Sequence, residues 1–326
     1  MFAKLFLSKR FNNCRSKSIE SIKLQKRDTM EYSQLGASDL KISQIGFGCM
    51  SLEGTFSDNE ILIETALDAG INYFDTADLY GNGTNEELIG GLLIKRRNDL
   101  VLATKVGNKL RADGSGWDWS PSKKYILSQV DASLKRLKTD YIDLYQLHGG
   151  TLEDPIDEII EAFEFLKDQG KIRYYGVSSI RPSVIREYVA KSNIVSVMTQ
   201  YSLLDRRPEE FTLDFLLKND VGVLARGAFA QGLLIDKAAK PYLDYSELEV
   251  SNAASAISNI AHKRTKSRAA LNFVLQHPAI SSAVTGFRTV EQLNEAIESV
   301  SETKLSEIES KLLKDSVKIQ FYKEHR

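Results

Sequence analysis

A short stretch near residue 75 combines residue types that proton transfer requires. The segment YFDTADLYG (73–81) reads as a buried strand that ends on the carboxylate of Asp75, and Tyr80 follows five residues later. Further along the chain, Lys105 ends the strand-like segment LVLATK, and His148 ends YIDLYQLH. A phenol is a slow proton donor near neutral pH until a nearby cation stabilises its anion, and a lysine supplies such a cation. These four residues suggest acid catalysis with Tyr80 as the proton donor.

Elementary electrostatics gives the other three residues a role. A lysine held against a phenol in a half-buried site tends to lose its proton, and the carboxylate of Asp75 keeps Lys105 charged. We expect His148 to donate a hydrogen bond to an oxygen atom of a bound ligand and to stabilise charge that develops there. We interpret Asp78, two residues before Tyr80, as either a solvated acid or a helix-start acid, outside this set of four.

The elements that must position these residues alternate between strand-like and helix-like segments from Met30 onward. Eight such pairs predict an α/β fold, a parallel sheet closed into a (β/α)8 TIM barrel, because an open doubly wound sheet needs only five or six. We expect a single domain over residues 30–326, with an N-terminal β-hairpin that turns at GASD (36–39) and extra C-terminal helices. The predicted strands cover residues 43–48, 71–75, 100–105, 141–148, 172–178, 194–200, 221–226 and 281–286.

Polar side chains stand at the carboxyl ends of these strands. They are Asp75, Lys105, His148, Ser178, Gln200 and Arg226. Each one alone has an ordinary explanation, such as a turn residue or a solvated lysine. In a closed barrel, however, all six converge on the mouth where barrel enzymes carry out their chemistry. Six together therefore predict a functional site.

Composition narrows the class of partner. The chain has 326 residues, and 43 Lys and Arg nearly balance 44 Asp and Glu, which argues against binding to nucleic acid or to an anionic membrane. No apolar stretch is long enough to cross a bilayer. We therefore expect a small-molecule partner, with a monomer as the default because no sequence pattern indicates an interface.

Cysteine and histidine usage excludes other classes. Cys14 and Cys49 are far apart and form no CxxC, which favours a reducing, cytoplasmic setting over a disulfide framework or zinc site. Besides His148 there are His262, His277 and His325, with no HxH or HExxH spacing. The sequence therefore predicts no metal and argues against a metal-dependent hydrolase.

The first 29 residues differ from the rest of the chain. They are rich in Lys and Arg and contain only two acidic residues, Glu20 and Asp28. We expect residues 1–29 to be a disordered basic extension outside the fold. Two explanations stay open: a targeting segment, or an upstream start with Met30 as the natural beginning of the folded part.

Four motifs carry a family resemblance. The segments NYFDTADLYG, ATKVG, DLYQLH and YYGVSS resemble the aldo-keto reductases, and the resemblance runs from about residue 32 to about residue 300. It implies a (β/α)8 barrel that reduces an aldehyde or ketone with NADPH, and less favourably NADH, through Asp75, Tyr80, Lys105 and His148. No GxGxxG opens a helix after the first strand, which weakens the competing Rossmann interpretation.

The resemblance also implies residues for the nicotinamide half of the cofactor. Ser178, Ser179 and Gln200 match the family's carboxamide clamp, although many relatives have Asn in place of Ser179. Arg226 stands where an aromatic ring often stacks on the nicotinamide, and a guanidinium plane can also stack. Met50, just after the first barrel strand, completes this expected set.

The adenosine half is expected after the eighth strand. Gly286 and Thr289 open a helix whose free N–H groups suit a phosphate. Arg288 is the expected ligand of the 2′-phosphate. Gln292 stands where some relatives carry a second basic residue. We therefore expect the protein to prefer NADP without excluding NAD.

The substrate is not readable from the sequence. Trp117 and Trp119, in the polar loop 107–121, could line a substrate pocket. Alternatively, one of these tryptophans packs on the barrel while the other is partly exposed. For Tyr201, two interpretations also stay open: it either belongs to the site or lies in the core. Some relatives are regulatory subunits of channels, so an NADP(H)-binding sensor with little turnover is the alternative function.

Overall fold

The computed structural model of the chain describes residues 30–111, 113–261, 265–301 and 304–326. The predictions for the extension 1–29 and for His262 lie outside these residues. The described strands are β1 Tyr32–Gln34, β2 Lys41–Ser43, β3 Ile45–Gly48, β4 Tyr73–Asp75, β5 Val101–Val106, β6 Asn108–Leu110, β7 Trp117–Trp119, β8 Ile142–Leu147, β9 Ile172–Ser178, β10 Ser196–Gln200, β11 Gly222–Arg226 and β12 Ile280–Thr285. The described α-helices are α1 Phe56–Asp68, α2 Thr84–Leu93, α3 Lys123–Leu137, α4 Ile156–Asp168, α5 Pro182–Lys191, α6 Thr212–Lys218, α7 Glu247–Ile260, α8 Lys266–Leu275, α9 Val290–Ser301 and α10 Glu307–Asp315.

Eight of the strands close into one parallel barrel. Their order is β3-β4-β5-β8-β9-β10-β11-β12, and β12 pairs back onto β3. Helices lie between successive barrel strands along the chain, so the predicted (β/α)8 fold is confirmed. The observed strand bounds lie within two residues of the predicted ones, since buried parallel strands are continuous apolar runs that turn residues delimit.

The predicted hairpin is present and closes the bottom of the barrel. Strands β1 and β2 pair antiparallel, with Tyr32 opposite Ser43. Leu35, Leu40 and Ile42 pack in one buried cluster with side chains of the barrel interior such as Leu144. This apolar plug fills the end of the barrel that carries no chemistry, and the opposite end is the mouth.

The two-residue period of the strands decides which side chains line the barrel interior near its mouth. Asp75 on β4, Lys105 on β5 and Gln146 on β8 all point inward, where Asp75 contacts both of the others. Their neighbours in sequence point outward, as Thr104 does in donating a hydrogen bond to Glu86 of α2 at 2.6 Å. Polar groups therefore occupy the interior layer just below the mouth.

The chain after the barrel returns to its side. Helix α10 follows α9, and the tail beyond it is held by hydrogen bonds to its main chain: the Tyr245 hydroxyl donates to the Lys318 oxygen at 2.7 Å, and the Ser183 N–H to the His325 oxygen at 2.8 Å. Among the described residues, no helix combines the length and apolar character needed to span a membrane.

Candidate active site

A buried ion pair lies at the base of the mouth. The Lys105 ammonium donates to Asp75 Oδ1 and, at 2.9 Å, to the main-chain oxygen of Thr76. The second oxygen of Asp75 accepts from Gln146 Nε2 at 3.1 Å and from the Tyr73 hydroxyl at 3.4 Å. Lys105 is 1% exposed and Asp75 4% exposed, so water does not compete for these bonds.

The neighbours of Lys105 favour its protonated form. Burial alone disfavours the ammonium of Lys105, but Asp75 and Tyr80 outweigh it and hold the pKa of Lys105 above its ordinary value. Burial raises the pKa of Asp75, while Lys105, Gln146 and Tyr73 oppose that rise. The carboxylate of Asp75 thus acts to raise the pKa of Lys105, and the catalytic role of the pair stays a prediction.

Tyr80 and His148 cover this pair on the side of the mouth. The ammonium of Lys105 lies 5.2 Å from the centre of the Tyr80 ring, and the Tyr80 and His148 rings meet edge to face at 5.8 Å. Both rings are partly exposed, whereas the ion pair below them is not. The structure therefore brings all four predicted catalytic residues together at one place.

His148 is electrically neutral in this setting. Burial, with the positive charges of Lys105 and Arg226, lowers the pKa of His148 to about 3. Its Nδ1 is buried and has no hydrogen-bond partner among the described residues. A neutral imidazole can donate one N–H to an oxygen atom in the mouth without carrying a proton in excess.

Asp78 corrects one expectation. The alternative of a solvated acid is wrong, because Asp78 is 6% exposed and neither carboxylate oxygen has a hydrogen-bond partner within the described part of the chain. Burial and the nearby carboxylate of Glu86 raise the pKa of Asp78 to about 7. Glu86 on α2 pairs with Arg136 on α3 at 2.6 Å, and both charges act on Asp78, so that these two helices border it.

The predicted nicotinamide residues follow His148 around the mouth. Gln200 Nε2 donates to Asp205 Oδ2 and to the Tyr242 hydroxyl, both at 2.9 Å, and Gln200 Oε1 accepts from Arg226 at 3.0 Å. The guanidinium of Arg226 is exposed at the end of β11. Tyr201, for which both interpretations stood open, is 1% exposed and lies in the core.

Ser178 and Ser179 stand at the end of β9, and Met50 follows β3 on the opposite side of the barrel. Ser178 is the last residue of β9, and Ser179 Oγ accepts from the Arg181 N–H at 3.2 Å. Met50 is 70% exposed in the short 3-10 turn Cys49–Ser51 that follows β3. All three therefore lie at or just beyond the carboxyl ends of barrel strands, at the mouth.

The predicted adenosine residues share one turn between β12 and α9. Gly286 leaves β12 in close contact with Ser51, since a Cβ added there would lie 2.5 Å from Ser51 Oγ. The Arg288 N–H donates to Gln292 Oε1 at 3.0 Å, and the Gln292 N–H to Thr289 Oγ1 at 3.3 Å. The turn thus gathers Gly286, Arg288, Thr289 and Gln292 at one helix start.

The two tryptophans of loop 107–121 have different surroundings. Trp119 packs against Gly107 and Gly149, and its Nε1 donates to Asp154 Oδ1 at 2.8 Å. Trp117 is 49% exposed on the same β6–β7 hairpin. This is the alternative in which one tryptophan packs on the barrel and the other is exposed; Trp119 nevertheless lies beside the loop that carries His148.

Sequence reasoning missed two contacts of Asp75. Gln146 and Tyr73 both donate to it, and neither was among the candidates. The two-residue period was the available signal: Tyr73 precedes Asp75 by two positions on β4, and Gln146 precedes His148 by two on β8. Within the residues that the structure describes, no group of three or more His, Cys, Asp and Glu is arranged to hold a metal ion.

Comparison with known proteins gives a consistent result. The model of the aldo/keto reductase family matches residues 44–318. The chain is 50% identical over 307 residues to the uncharacterized oxidoreductase YqkF of Bacillus subtilis, covering 91% of this chain and 100% of that protein. It is 33% identical over 203 residues to the aldo-keto reductase yakc [NADP(+)] of Schizosaccharomyces pombe, covering 59% of this chain and 60% of that protein. The holo structure of aldo-keto reductase AKR11C1 from Bacillus halodurans superimposes with a TM-score of 0.86 at 46% identity, covering 91% of this chain and 99% of that one.

Proposed function

The chain belongs to the aldo/keto reductase family, and from that premise we propose that it reduces an aldehyde or ketone to the alcohol, with NADPH as hydride donor and Tyr80 as proton donor. The buried ammonium of Lys105, between Asp75 and the ring of Tyr80, carries this proposal. A buried charge is costly to maintain, and stabilising a phenolate is a chemical use that fits its position.

Carbonyl reduction adds a hydride to carbon and a proton to oxygen. The nicotinamide supplies the hydride, with its two electrons, when it is bound. The Tyr80 hydroxyl gives its proton to the carbonyl oxygen, so that one O–H bond breaks as the O–H bond of the alcohol forms. Lys105 stabilises the phenolate that remains, and Asp75 holds Lys105 in place.

His148 acts on the carbonyl oxygen as a neutral donor. Its lowered pKa, about 3, keeps the imidazole neutral across the physiological range. One N–H of a neutral ring can orient the carbonyl and stabilise the charge that develops on its oxygen. The edge-to-face contact with Tyr80 directs the two donors to the same region of the mouth.

The residues present fit a nicotinamide dinucleotide. Ser178 and Ser179 offer hydroxyl groups for the carboxamide. Gln200, whose Nε2 donates to Asp205 and Tyr242, offers the second lone pair of its Oε1, and Arg226 adds a planar cation beside it. Met50, on the facing strand end, adds an apolar side chain at the surface of the mouth.

The turn after β12 supports NADPH over NADH. Arg288 is exposed at the start of α9, where a 2′-phosphate would meet a positive charge near a helix N-terminus, and Thr289 and Gln292 border the same turn. The relative yakc of Schizosaccharomyces pombe is named as an NADP(+) enzyme. We also propose that residues 30–326 form one folded domain and that the protein is a monomer. We further propose a cytoplasmic location, which the low cysteine content supports.

The substrate is a small carbonyl compound that enters beside Trp119. Its ring packs over the glycines that flank Lys105 and His148 in the chain, so its edge can border the substrate. Trp117 would contribute only if the β6–β7 hairpin bends over the mouth.

Cofactor oxidation with a panel of carbonyl compounds tests the proposal. Aromatic aldehydes, aliphatic aldehydes and dicarbonyls are each offered with NADPH or NADH, and the loss of nicotinamide absorbance gives the rate. In parallel, protein fluorescence titrations measure cofactor binding. Turnover with any member of the panel is the expected result. Tight NADPH binding without turnover on any compound would instead favour the sensor function.

A further inference from the structure

An acidic side chain stands at the expected 2′-phosphate position. We propose that Glu53 determines how strongly this protein distinguishes NADP(H) from NAD(H), by competing with the 2′-phosphate for Arg288. The inference rests on the proposed function, because it assumes that the adenosine half of the cofactor lies at the turn after β12.

The pair joins two loops that the main chain already holds together. Arg288 Nη2 lies 3.0 Å from Glu53 Oε1. Two residues earlier, Ser51 Oγ donates to the main-chain oxygen of Phe287 at 3.1 Å, and Gly286 packs directly on Ser51. The position of Glu53 relative to Arg288 is therefore set by the fold around it as well as by the ion pair.

A ligand can reach both partners. The side chains of Arg288 and Glu53 are 61% and 68% exposed. An exposed ion pair of this kind is weak, so that an incoming phosphate can displace the carboxylate from the guanidinium. Displacement leaves the charge of Glu53 close to the phosphate, and their repulsion lowers the affinity for NADP(H).

Two main-chain donors of the turn after β12 already have side-chain partners. The Arg288 N–H is engaged by Gln292 Oε1, and the Gln292 N–H by Thr289 Oγ1. These two N–H groups thus already have partners, and the guanidinium of Arg288 is the charged group of this turn that attracts the extra phosphate. A group that weakens the contact between this guanidinium and the 2′-phosphate therefore lowers the affinity for NADP(H) relative to NAD(H).

The same carboxylate suits a cofactor that lacks the phosphate. A carboxylate near the adenosine ribose accepts a hydrogen bond from the free 2′-hydroxyl of NAD(H), whereas an arginine accommodates the 2′-phosphate of NADP(H). Here the two kinds of side chain lie side by side. Glu53 therefore narrows a preference that Arg288 alone would make strong.

The Glu53→Gln variant tests this role through binding, independently of catalysis. Dissociation constants for NADPH and NADH, and for the fragments 2′,5′-ADP and 5′-AMP, are measured at low ionic strength. We expect NADPH and 2′,5′-ADP to bind about 3- to 10-fold more tightly, because one repulsive charge is removed at a solvent-exposed site. Binding of NADH and 5′-AMP stays the same or weakens, and added salt reduces the difference.

Glu64→Gln is the matched control, because it removes the same charge from α1, where Glu64 lies 4.0 Å from Arg96. It should leave the preference unchanged. Arg288→Gln should remove the effect of Glu53→Gln in the double variant. An equal change for both cofactors, or no change for either, would overturn the assignment of Glu53. If the unmodified protein binds neither cofactor, the proposed function itself fails, and the assignment fails with it.

Discussion

Replacing Lys105 by methionine removes the positive charge beneath Tyr80 and keeps an unbranched side chain of similar length. The ammonium lies 5.2 Å from the centre of the Tyr80 ring. At that separation, with an effective dielectric constant of about 20, two unit charges interact by about 3 kcal/mol. Loss of that stabilisation from the phenolate that forms during proton transfer lowers the rate of carbonyl reduction roughly 200-fold.

The same change also affects folding, and the two effects can be separated. Lys105→Met leaves the carboxylate of Asp75 buried without its cation, which costs about 3–5 kcal/mol of unfolding free energy unless the carboxylate takes up a proton. Adding Asp75→Asn removes that buried charge. We therefore expect the double variant Asp75→Asn/Lys105→Met to recover stability and to remain as slow as Lys105→Met.

Two assays on the same preparations decide the matter. Urea unfolding gives the stability of the single and double variants, and kcat/KM for carbonyl reduction at saturating cofactor gives their rates. A folded Lys105→Met protein whose rate lies within about tenfold of the unmodified enzyme would refute the electrostatic role of Lys105. Recovery of the rate in the double variant would refute it as well, since it would mean that instability alone had caused the loss.

Asp78→Asn should raise the free energy of unfolding by up to about 4 kcal/mol at about pH 8 and should give no gain near pH 4. The pKa of Asp78 rises to about 7 on folding, so the folded state favours the protonated carboxyl group. The unmodified protein therefore loses stability as the pH rises from about 4 through about 7. Urea unfolding at the two pH values checks this, and an equal effect at both would contradict it. His148→Leu should lower kcat by about 10²- to 10³-fold through loss of a donor, with His148→Gln retaining part of the rate. Because the pKa of His148 is lowered to about 3, the unmodified enzyme should show no loss of rate from its protonation between about pH 5 and 8, and an acid limb that disappears in His148→Gln would argue otherwise. Trp119→Phe should lower the free energy of unfolding by about 1 kcal/mol, because it removes the hydrogen bond to Asp154. It should also raise KM for bulky carbonyl compounds while kcat changes little. An unchanged KM across the panel would show that Trp119 does not contact the substrate.

The barrel and three of the four mouth residues follow from local sequence patterns. Each barrel strand is a short apolar run that polar or glycine residues delimit, and the residue that ends it must point to the common mouth. Asp75, Lys105 and His148 were therefore predictable from their positions alone. Gln146 and Tyr73 follow the same two-residue period and could have been predicted by extending it one step inward.

Burial that depends on packing between distant elements could not be predicted in this way. Asp78 follows a strand and precedes a helix, which is typical of a solvated acid, and only the packing of α2 and α3 around it shows otherwise. The ion pair between Glu53 and Arg288 also could not be predicted from local sequence. Its partners lie on loops far apart in sequence, and no local pattern relates them.

Single-turnover reduction by the Tyr80→Phe variant, preloaded with NADPH, tests the central claim most directly. The variant keeps the aromatic ring over Lys105 and lacks the hydroxyl whose proton the carbonyl oxygen receives. We expect NADPH to bind as it does to the unmodified protein and the reduction rate to fall by about 10²- to 10⁴-fold. A reduction rate that survives the loss of this hydroxyl would show that Tyr80 is not the proton donor.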